Sequence, residues 1–244
     1  GKMAELFRLI HKVAPENTTV MIYGETGVGK EQIARAIHQL SPRSSFPMFA
    51  VNCAAIPDHL FESELFGYER GAFTGAYARK KGILEEASGS TLFLDEVGDL
   101  MRPLQAKILR MLQEREIQRL GGTTRIHVDV RIISATHQDL AKLMTNGSFR
   151  EDLYYRLNTF PIIVPPLRER TTDIPLLVNH FLQKYKSQNH LRAKKLSFHA
   201  LESLLTYPWP GNVRQLESAI ERAVILAEGE TISQEDLPQE VRRA

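Results

Sequence analysis

Short apolar runs alternate along the first two thirds of the chain with stretches where apolar residues return every three or four positions. Residues 19–23 (T-V-M-I-Y) form a compact run that suits a buried strand. Ile33, Ile37 and Leu40 then recur at helical spacing across residues 31–40. Residues 48–51 read as a second short strand and residues 91–94 as a third, after which Leu104, Ile108 and Leu112 follow at i, i+4, i+8. Residues 117–120 and 125–135 flank a Gly121-Gly122 turn, which is a hairpin signal. Buried strands alternating with amphipathic helices predict an α/β fold, a parallel sheet sandwiched by helices. The pattern changes at Pro165-Pro166, beyond which strand-like runs stop. Three helical stripes follow: Leu176, Leu177, Phe181 and Tyr185; then Phe198, Leu201, Leu204 and Leu205; then Leu216, Ile220, Val224 and Ile225. The expected organisation is an α/β core over residues 1–167 and a smaller C-terminal helical subdomain over residues 168–244.

Composition narrows the function. At 244 residues and 43% hydrophobic, the chain can bury a sizeable core. Lys+Arg is 31 and Asp+Glu is 29, a net charge of +2, which argues against a dedicated DNA-binding domain, where a clear basic surplus is usual. The single cysteine, Cys53, rules out an internal disulfide and fits a reducing compartment. No apolar run approaches the roughly 18 residues needed to span a bilayer, and no signal peptide opens the chain. The expectation is a soluble, cytoplasmic protein with no membrane contact.

Candidate chemistry begins at the first strand–helix junction. Gly24-Glu25-Thr26-Gly27-Val28-Gly29-Lys30 fits the phosphate-loop pattern G-x-x-x-x-G-K in its proper context. Glycines let backbone N–H groups turn around phosphate oxygens, the following helix adds positive partial charge, and Lys30 can reach the β and γ phosphates. The next residue, usually Ser or Thr to hold magnesium, is Glu31. Its carboxylate could meet the metal through water or simply favour the helix N-terminus. Asp95-Glu96 ends the apolar run at residues 91–94 in a Walker B pattern. Asp95 is expected to hold magnesium and Glu96 to polarise the attacking water as general base. Thr136-His137 closes the strand before it, where polar side chains could position water or sense the γ-phosphate, or serve as ordinary strand-end chemistry. The remaining histidines show no metal-ligand spacing, so no structural zinc is expected. The cofactors implied are ATP and Mg2+, and the reaction is hydrolysis to ADP and phosphate.

Three longer stretches resemble one family, the AAA+ domain of bacterial enhancer-binding proteins (NtrC-like), which activate sigma-54 RNA polymerase. They are G-E-T-G-V-G-K-E at residues 24–31, E-L-F-G-Y-E-R-G-A-F-T-G-A at residues 64–76 and W-P-G-N-V-R-Q-L at residues 209–216. A-S-G-S-T-L-F-L-D-E at residues 87–96 also resembles the family's Walker B signature. The resemblance covers nearly the whole chain, makes an acidic residue at Glu31 the usual choice, and implies that the helical subdomain is a AAA+ lid. Read from its residues alone, G-A-F-T-G-A brackets Ala72, Phe73 and Thr74 with Gly71 and Gly75. That permits a tight, mobile turn, with Phe73 either exposed for a partner or tucked into the core. The resemblance implies that residues Gly71, Ala72, Phe73, Thr74, Gly75 and Ala76 grip sigma-54. By matched position, Asn52 resembles a residue that switches Glu96 between productive and idle orientations. Arg150 and Arg156 resemble arginine fingers that enter a neighbouring subunit's site, and Arg214 resembles a nucleotide-sensing arginine of the lid. From the residues alone these are a strand-end amide that caps backbone and arginines in surface ion pairs, Arg150 with Glu151 or Asp152 and Arg214 with Glu217 or Glu221. Gly211-Asn212 reads equally as plain helix capping. The family implies a homo-oligomeric ring, most often a hexamer, acting on the sigma-54 RNA polymerase holoenzyme, with enhancer DNA contacted mainly through a domain outside these residues. Two other readings share the ATP site: another AAA+ remodelling ATPase, an unfoldase or DNA motor, and a non-hydrolysing nucleotide-binding scaffold.

Overall fold

The computed structural model describes residues 2–55, 57–189 and 195–242; residues 190–194, 243 and 244 of the expected helical subdomain lie outside them. Contacts divide the chain into two compact units, one of Glu5–Gly24 and Lys30–Ile163, the other of Gly1–Ala4, Glu25–Gly29 and Val164–Ala244.

The first unit is built on five strands: β1 (Val20–Tyr23), β2 (Phe49–Asn52), β3 (Thr91–Asp95), β4 (Arg131–Thr136) and β5 (Phe160–Ile163). They pair in the order β2-β3-β4-β1-β5, and every pairing is parallel. β4 is buried at all six positions and β3 at its first four, which is why these strands read as continuous apolar runs rather than alternating ones. The apolar stripe of α4 (Arg102–Glu114) buries Leu104 and Ile108 against a core that includes Phe61 and Leu65 of α3 (Asp58–Phe66), Leu92 and Leu94 of β3, and Leu153 and Leu157 of α5 (Glu151–Leu157). Parallel pairing puts all the strand C-termini on one edge, with Asn52 opposite Asp95 and Tyr23 opposite Thr136. That edge is where open α/β sheets bind ligands.

The apolar run at residues 125–135 is two strands, not one. Ile126–His127 pairs antiparallel with Glu116–Ile117, giving the expected hairpin, whereas β4 joins the central sheet. Between them the Asp129 carbonyl accepts from Gly89 N–H at 2.8 Å and from Arg43 Nη1 at 2.9 Å, taking that backbone out of any ladder. The chain opens on helix α1 (Lys2–Val13). Leu40 also departs from expectation: it follows α2 (Lys30–Gln39) and is exposed.

In the second unit, α6 (Ile174–Asn189), α7 (Phe198–Thr206) and α8 (Asn212–Leu226) surround the fully buried Trp209. Its indole Nε1 donates to the Leu204 carbonyl at 2.8 Å, and its ring meets Tyr207 edge-on. The buried stripe of α6 is Ile174, Val178, Phe181 and Tyr185, so Leu176 faces outward; Phe198 and Ile225 are likewise exposed, and Leu205 sits at the margin. A two-residue parallel pair, Lys195–Leu196 with Thr231–Ile232, adds strand where none was expected. Among the described residues no helix is long and apolar enough to cross a membrane.

Candidate functional site

Lys30, Asp95, Glu96, Thr136 and His137 come together on the C-terminal edge of the sheet. Gly24 leaves β1 with its N–H donating to the Thr136 carbonyl at 3.3 Å, fixing the start of the phosphate loop to β4. Lys30 opens α2 and is only 7% exposed. Its Nζ donates to the Gly24 carbonyl at 2.9 Å and lies 3.3 Å from Glu96 Oε1. Glu31, the next residue, is spoken for by its own helix, since Arg35 donates to its carboxylate at 3.0 and 2.6 Å.

Glu96 follows β3 in the left-handed region (φ 53, ψ 50), unusual for a residue other than glycine, and this turns its side chain across the strand ends. His137 Nδ1 is 2.7 Å from Glu96 Oε2, and the His137 backbone N–H donates to the same oxygen at 3.2 Å. Burial pushes the Glu96 carboxyl up, but the His137 contact and the Lys30 charge outweigh it and hold the group below its ordinary value. Burial and the neighbouring Glu96 charge push Asp95 the other way, upward. Two adjacent carboxylates, one of them disfavoured as an anion by its surroundings, make a place where a cation is stabilising. Asp95 and Glu96 as a donor pair fit magnesium in its usual mode, held by one or two carboxylates with phosphate oxygens and water completing the shell.

Asn52 lies next to Asp95 rather than Glu96: its Nδ2 is 3.4 Å from Asp95 Oδ2, and its Oδ1 accepts from Ala54 N–H at 2.9 Å. The hydroxyl of Thr136 is fully buried and accepts from Gln138 N–H at 3.0 Å, so the side chain at this strand end that reaches Glu96 is that of His137. Arg150 makes a two-pronged pair with Asp152 at 3.0 and 2.7 Å, and Arg156 Nη2 donates to the Leu112 carbonyl at 3.1 Å.

Glu25–Gly29, the tip of the phosphate loop, belongs by its contacts to the second unit. Gly27 and Gly29 have φ of +80 and +101, where a side chain is strained, and a Cβ on Gly27 would lie 2.3 Å from the Gly211 carbonyl oxygen. Arg168 grips the Glu25 carboxylate at 2.9 and 2.6 Å, Asn212 Nδ2 adds a bond at 3.0 Å, and together they lower the Glu25 pKa to about 2. Asn212 is wholly buried and does not cap its own helix. Its Oδ1 accepts from Leu167 N–H at 2.8 Å and its Nδ2 also donates to the Thr26 carbonyl at 3.1 Å. Arg170 Nη2 donates to the Val28 carbonyl at 2.8 Å, and the backbone N–H of the exposed Arg214 to that of Gly27 at 3.2 Å. Arg168 and Arg170 were not anticipated; their R-E-R spacing after Pro165-Pro166-Leu167 is a basic cluster with nothing local to indicate its partners.

The G-A-F-T-G-A segment is a loop on a two-residue antiparallel stem, Gly67–Tyr68 with Lys80–Lys81. Gly71 and Gly75 have φ of +82 and +105, and Gly71 N–H donates to the Ala76 carbonyl at 2.8 Å, closing the turn. Thr74 is exposed. Phe73 is 44% exposed with its ring edge-on to Tyr68, so it neither enters the core nor stands wholly clear, while Ala76 is buried and Tyr77 is 87% exposed. The hairpin at residues 116–127 braces the loop's base: Glu69 N–H donates to the Leu120 carbonyl and Leu120 N–H to that of Gly67, both at 3.0 Å.

Comparison with known proteins gives the following. The model of the sigma-54 interaction domain matches residues 1–163, and that of the AAA+ ATPase lid domain matches residues 168–244. The transcriptional regulatory protein ZraR of Escherichia coli K12 is 53% identical over 97% of this chain and 54% of its own length. The nitrogen fixation protein AnfA of Azotobacter vinelandii is 52% identical over 97% of this chain and 44% of its own length. The chain thus spans about half the length of the curated relatives it matches. The crystal structure of NtrX from Brucella abortus in complex with ATP superposes with a TM-score of 0.90 at 43% identity, covering 98% of this chain and 55% of that one. Hsp104 bound to casein shares the fold at 18% identity and a TM-score of 0.62.

Proposed function

The chain belongs to the sigma-54 interaction domain family of AAA+ proteins, and from that premise we propose that it hydrolyses ATP with magnesium to remodel the closed complex of sigma-54 RNA polymerase and so activate transcription. The observation that carries the reading is the gathering of Lys30, Asp95 and Glu96 on one sheet edge, in a chain that also presents an exposed, glycine-bracketed loop. In this reading residues 1–167 are the ATPase core and residues 168–244 the lid. Residues 24–31 cradle the phosphates, and Lys30 exchanges Glu96 and the Gly24 carbonyl for the β and γ phosphates. Asp95 holds magnesium, which when bound neutralises charge on the transferring phosphoryl group. Glu96 takes a proton from the attacking water, and release of Lys30 removes one of the charges that hold its carboxyl below the ordinary value, raising its affinity for that proton. Asn52 orients Asp95 from β2, and Thr136 secures the loop through its backbone carbonyl.

Arg150, Arg156 and Arg214 keep the roles their positions suggest: the first two leave their local partners to enter a neighbour's site in a homo-oligomeric ring, taken as a hexamer, and Arg214 senses nucleotide. Fingers of this kind accelerate related phosphoryl transfers by about 10³–10⁵-fold. The loop at residues 71–76 contacts sigma-54 through Phe73 and Thr74 and shifts when phosphate leaves, a γ-phosphate switch on a mobile segment. The protein acts in the cytoplasm, and enhancer DNA is bound by parts of the protein outside these residues.

The test pairs two assays. Native-gel binding to purified sigma-54 in ADP and aluminium fluoride should give a nucleotide-dependent complex that Thr74→Ala loses while its ATP turnover stays near wild type. Phosphate release should collapse in Glu96→Gln, with ATP binding retained. Turnover without a sigma-54 complex would move the assignment to another AAA+ remodelling machine; nucleotide binding without turnover would leave a scaffold.

A further inference from the structure

A second concentration of cations sits on the opposite edge of the sheet. Thr18 and Thr19 precede β1, Arg131 begins β4 and Thr159 precedes β5, so these residues lie about 13–20 Å from the phosphate loop by strand length. Together with Arg115 and Arg156 they line a cavity of about 200 Å³. Three guanidiniums contribute to its wall and no carboxylate does.

Arg131 is the least expected of the three. It is 2% exposed, and among the described residues it makes no salt bridge, Glu16 acting on it only at longer range; its two terminal nitrogens donate to the Ala14 and Val13 carbonyls at 2.7 and 2.8 Å, and its Nε finds no acceptor among the described residues. Burial lowers its pKa to about 10, the sign of a cation held where water is scarce. Arg115 is unusual for a different reason. It occupies the left-handed position after α4 (φ 55), where glycine is favoured, so the chain keeps a guanidinium at a position that disfavours any side chain. Asp129, outside the cavity wall, offsets only part of this charge, since it is shared between Arg115 and Arg43. Apart from Asn17, the rest of the wall is apolar, formed by residues such as Met111, Val128 and Ile132. The volume holds several waters but is below the roughly 300 Å³ at which pockets for whole nucleotides begin.

We propose that this cavity is a second anion site, taking a small organic oxyanion whose phosphate or carboxylate meets Arg131 and Arg115 while a compact apolar body rests on the Val128–Ile132 side. The site is separate from the phosphate loop and does not depend on how that loop is used. Because Arg156 lines it, an occupant would also restrain an arginine assigned above to the neighbouring active site.

Phenyl phosphate is the probe, with inorganic phosphate beside it. Calorimetric titration should show saturable binding of phenyl phosphate to the wild-type chain and equally to Lys30→Ala, in which the phosphate loop is disabled. Arg115→Gln should weaken it tenfold or more. Arg131→Gln risks the fold, because Arg131 holds the end of the first helix, so Arg131 is followed in the wild type instead: its Nε–H resonance should shift on titration. Inorganic phosphate should bind at least tenfold more weakly. Absence of binding, loss of binding in Lys30→Ala, indifference to Arg115→Gln, or equal affinity for the two probes would each overturn the proposal.

Discussion

Arg119 tests how the exposed loop is held to the core. Its Nη1 donates to Glu69, just below the loop, at 2.7 Å, and its Nε and Nη2 grip Glu85 at 2.7 and 2.6 Å. The Arg119 and Glu85 side chains are only 10% and 8% exposed. Arg119→Ala therefore strands a carboxylate in a nearly dry site. Breaking a buried pair from one side costs about 3–5 kcal/mol, against 0–1 for a surface pair such as the one with Glu69. In a domain of this size that is a fall of roughly 6–20 °C in melting temperature, readable by circular dichroism or calorimetry. The pH dependence carries a definite sign. Arg119 holds the Glu85 carboxyl below its ordinary value, so the pair's contribution is complete above the unfolded pKa of about 4.3 and is lost as pH falls through the lower folded one. In the variant, burial without the guanidinium favours the protonated acid. The gap between wild type and variant should thus be widest at pH 7 and narrow toward pH 4. Arg119→Met with Glu85→Gln, which removes both charges, should recover much of the loss. A loss under about 1 kcal/mol at pH 7, or a gap unchanged at pH 4, would refute the assignment of this pair as buried and stabilising.

Trp209→Ala should destabilise the C-terminal unit by about 3–5 kcal/mol in urea unfolding, since it empties a fully buried site and removes the donor to Leu204; a change within 1 kcal/mol would contradict that packing. Gly67→Ala should cost at least about 1–3 kcal/mol, because its φ of +75 disfavours a side chain and the new Cβ would sit 2.5 Å from Gly82 N and 2.6 Å from Lys80 O, both backbone. Faster hydrogen exchange across residues 67–82 would report the loosened stem, and wild-type exchange would count against it. The Glu25 carboxyl should titrate near pH 2 by NMR and return toward about 4.3 in Arg168→Ala. Both members of that pair are more than 40% exposed, so removing it should shift overall stability by no more than about 1 kcal/mol.

The chemistry of this chain was legible where it is contiguous. G-E-T-G-V-G-K-E and L-F-L-D-E each place charge at a strand end within a few residues, and parallel pairing brings those ends to one edge whatever the strand order. The order itself, β2-β3-β4-β1-β5, leaves little mark on any one segment: β3, β4 and β1 are apolar because both faces are buried, and the half-exposed edge strands β2 and β5 are still written with apolar residues such as Phe49, Val51, Ile162 and Ile163. Apolar content likewise did not reveal the break at Asp129, which is made by Gly89 and Arg43 from elsewhere in the chain. Helical stripes were read one position too generously: Leu176, Phe198 and Ile225 fit the spacing but lie beyond the edge of the buried face. Partner choice was the least visible of all. Glu25 finds Arg168 at a separation of 143 residues and Asn212 at 187, distances over which only tertiary structure selects a contact. The same logic decides between neighbours at the end of β4. The strand ends at Thr136, which is buried and bent back on Gln138, and His137, the first residue beyond it, meets Glu96 with both its backbone N–H and its ring. A motif names the residue types gathered at a strand end; where the strand stops and the chain turns determines which of them touches the carboxylate.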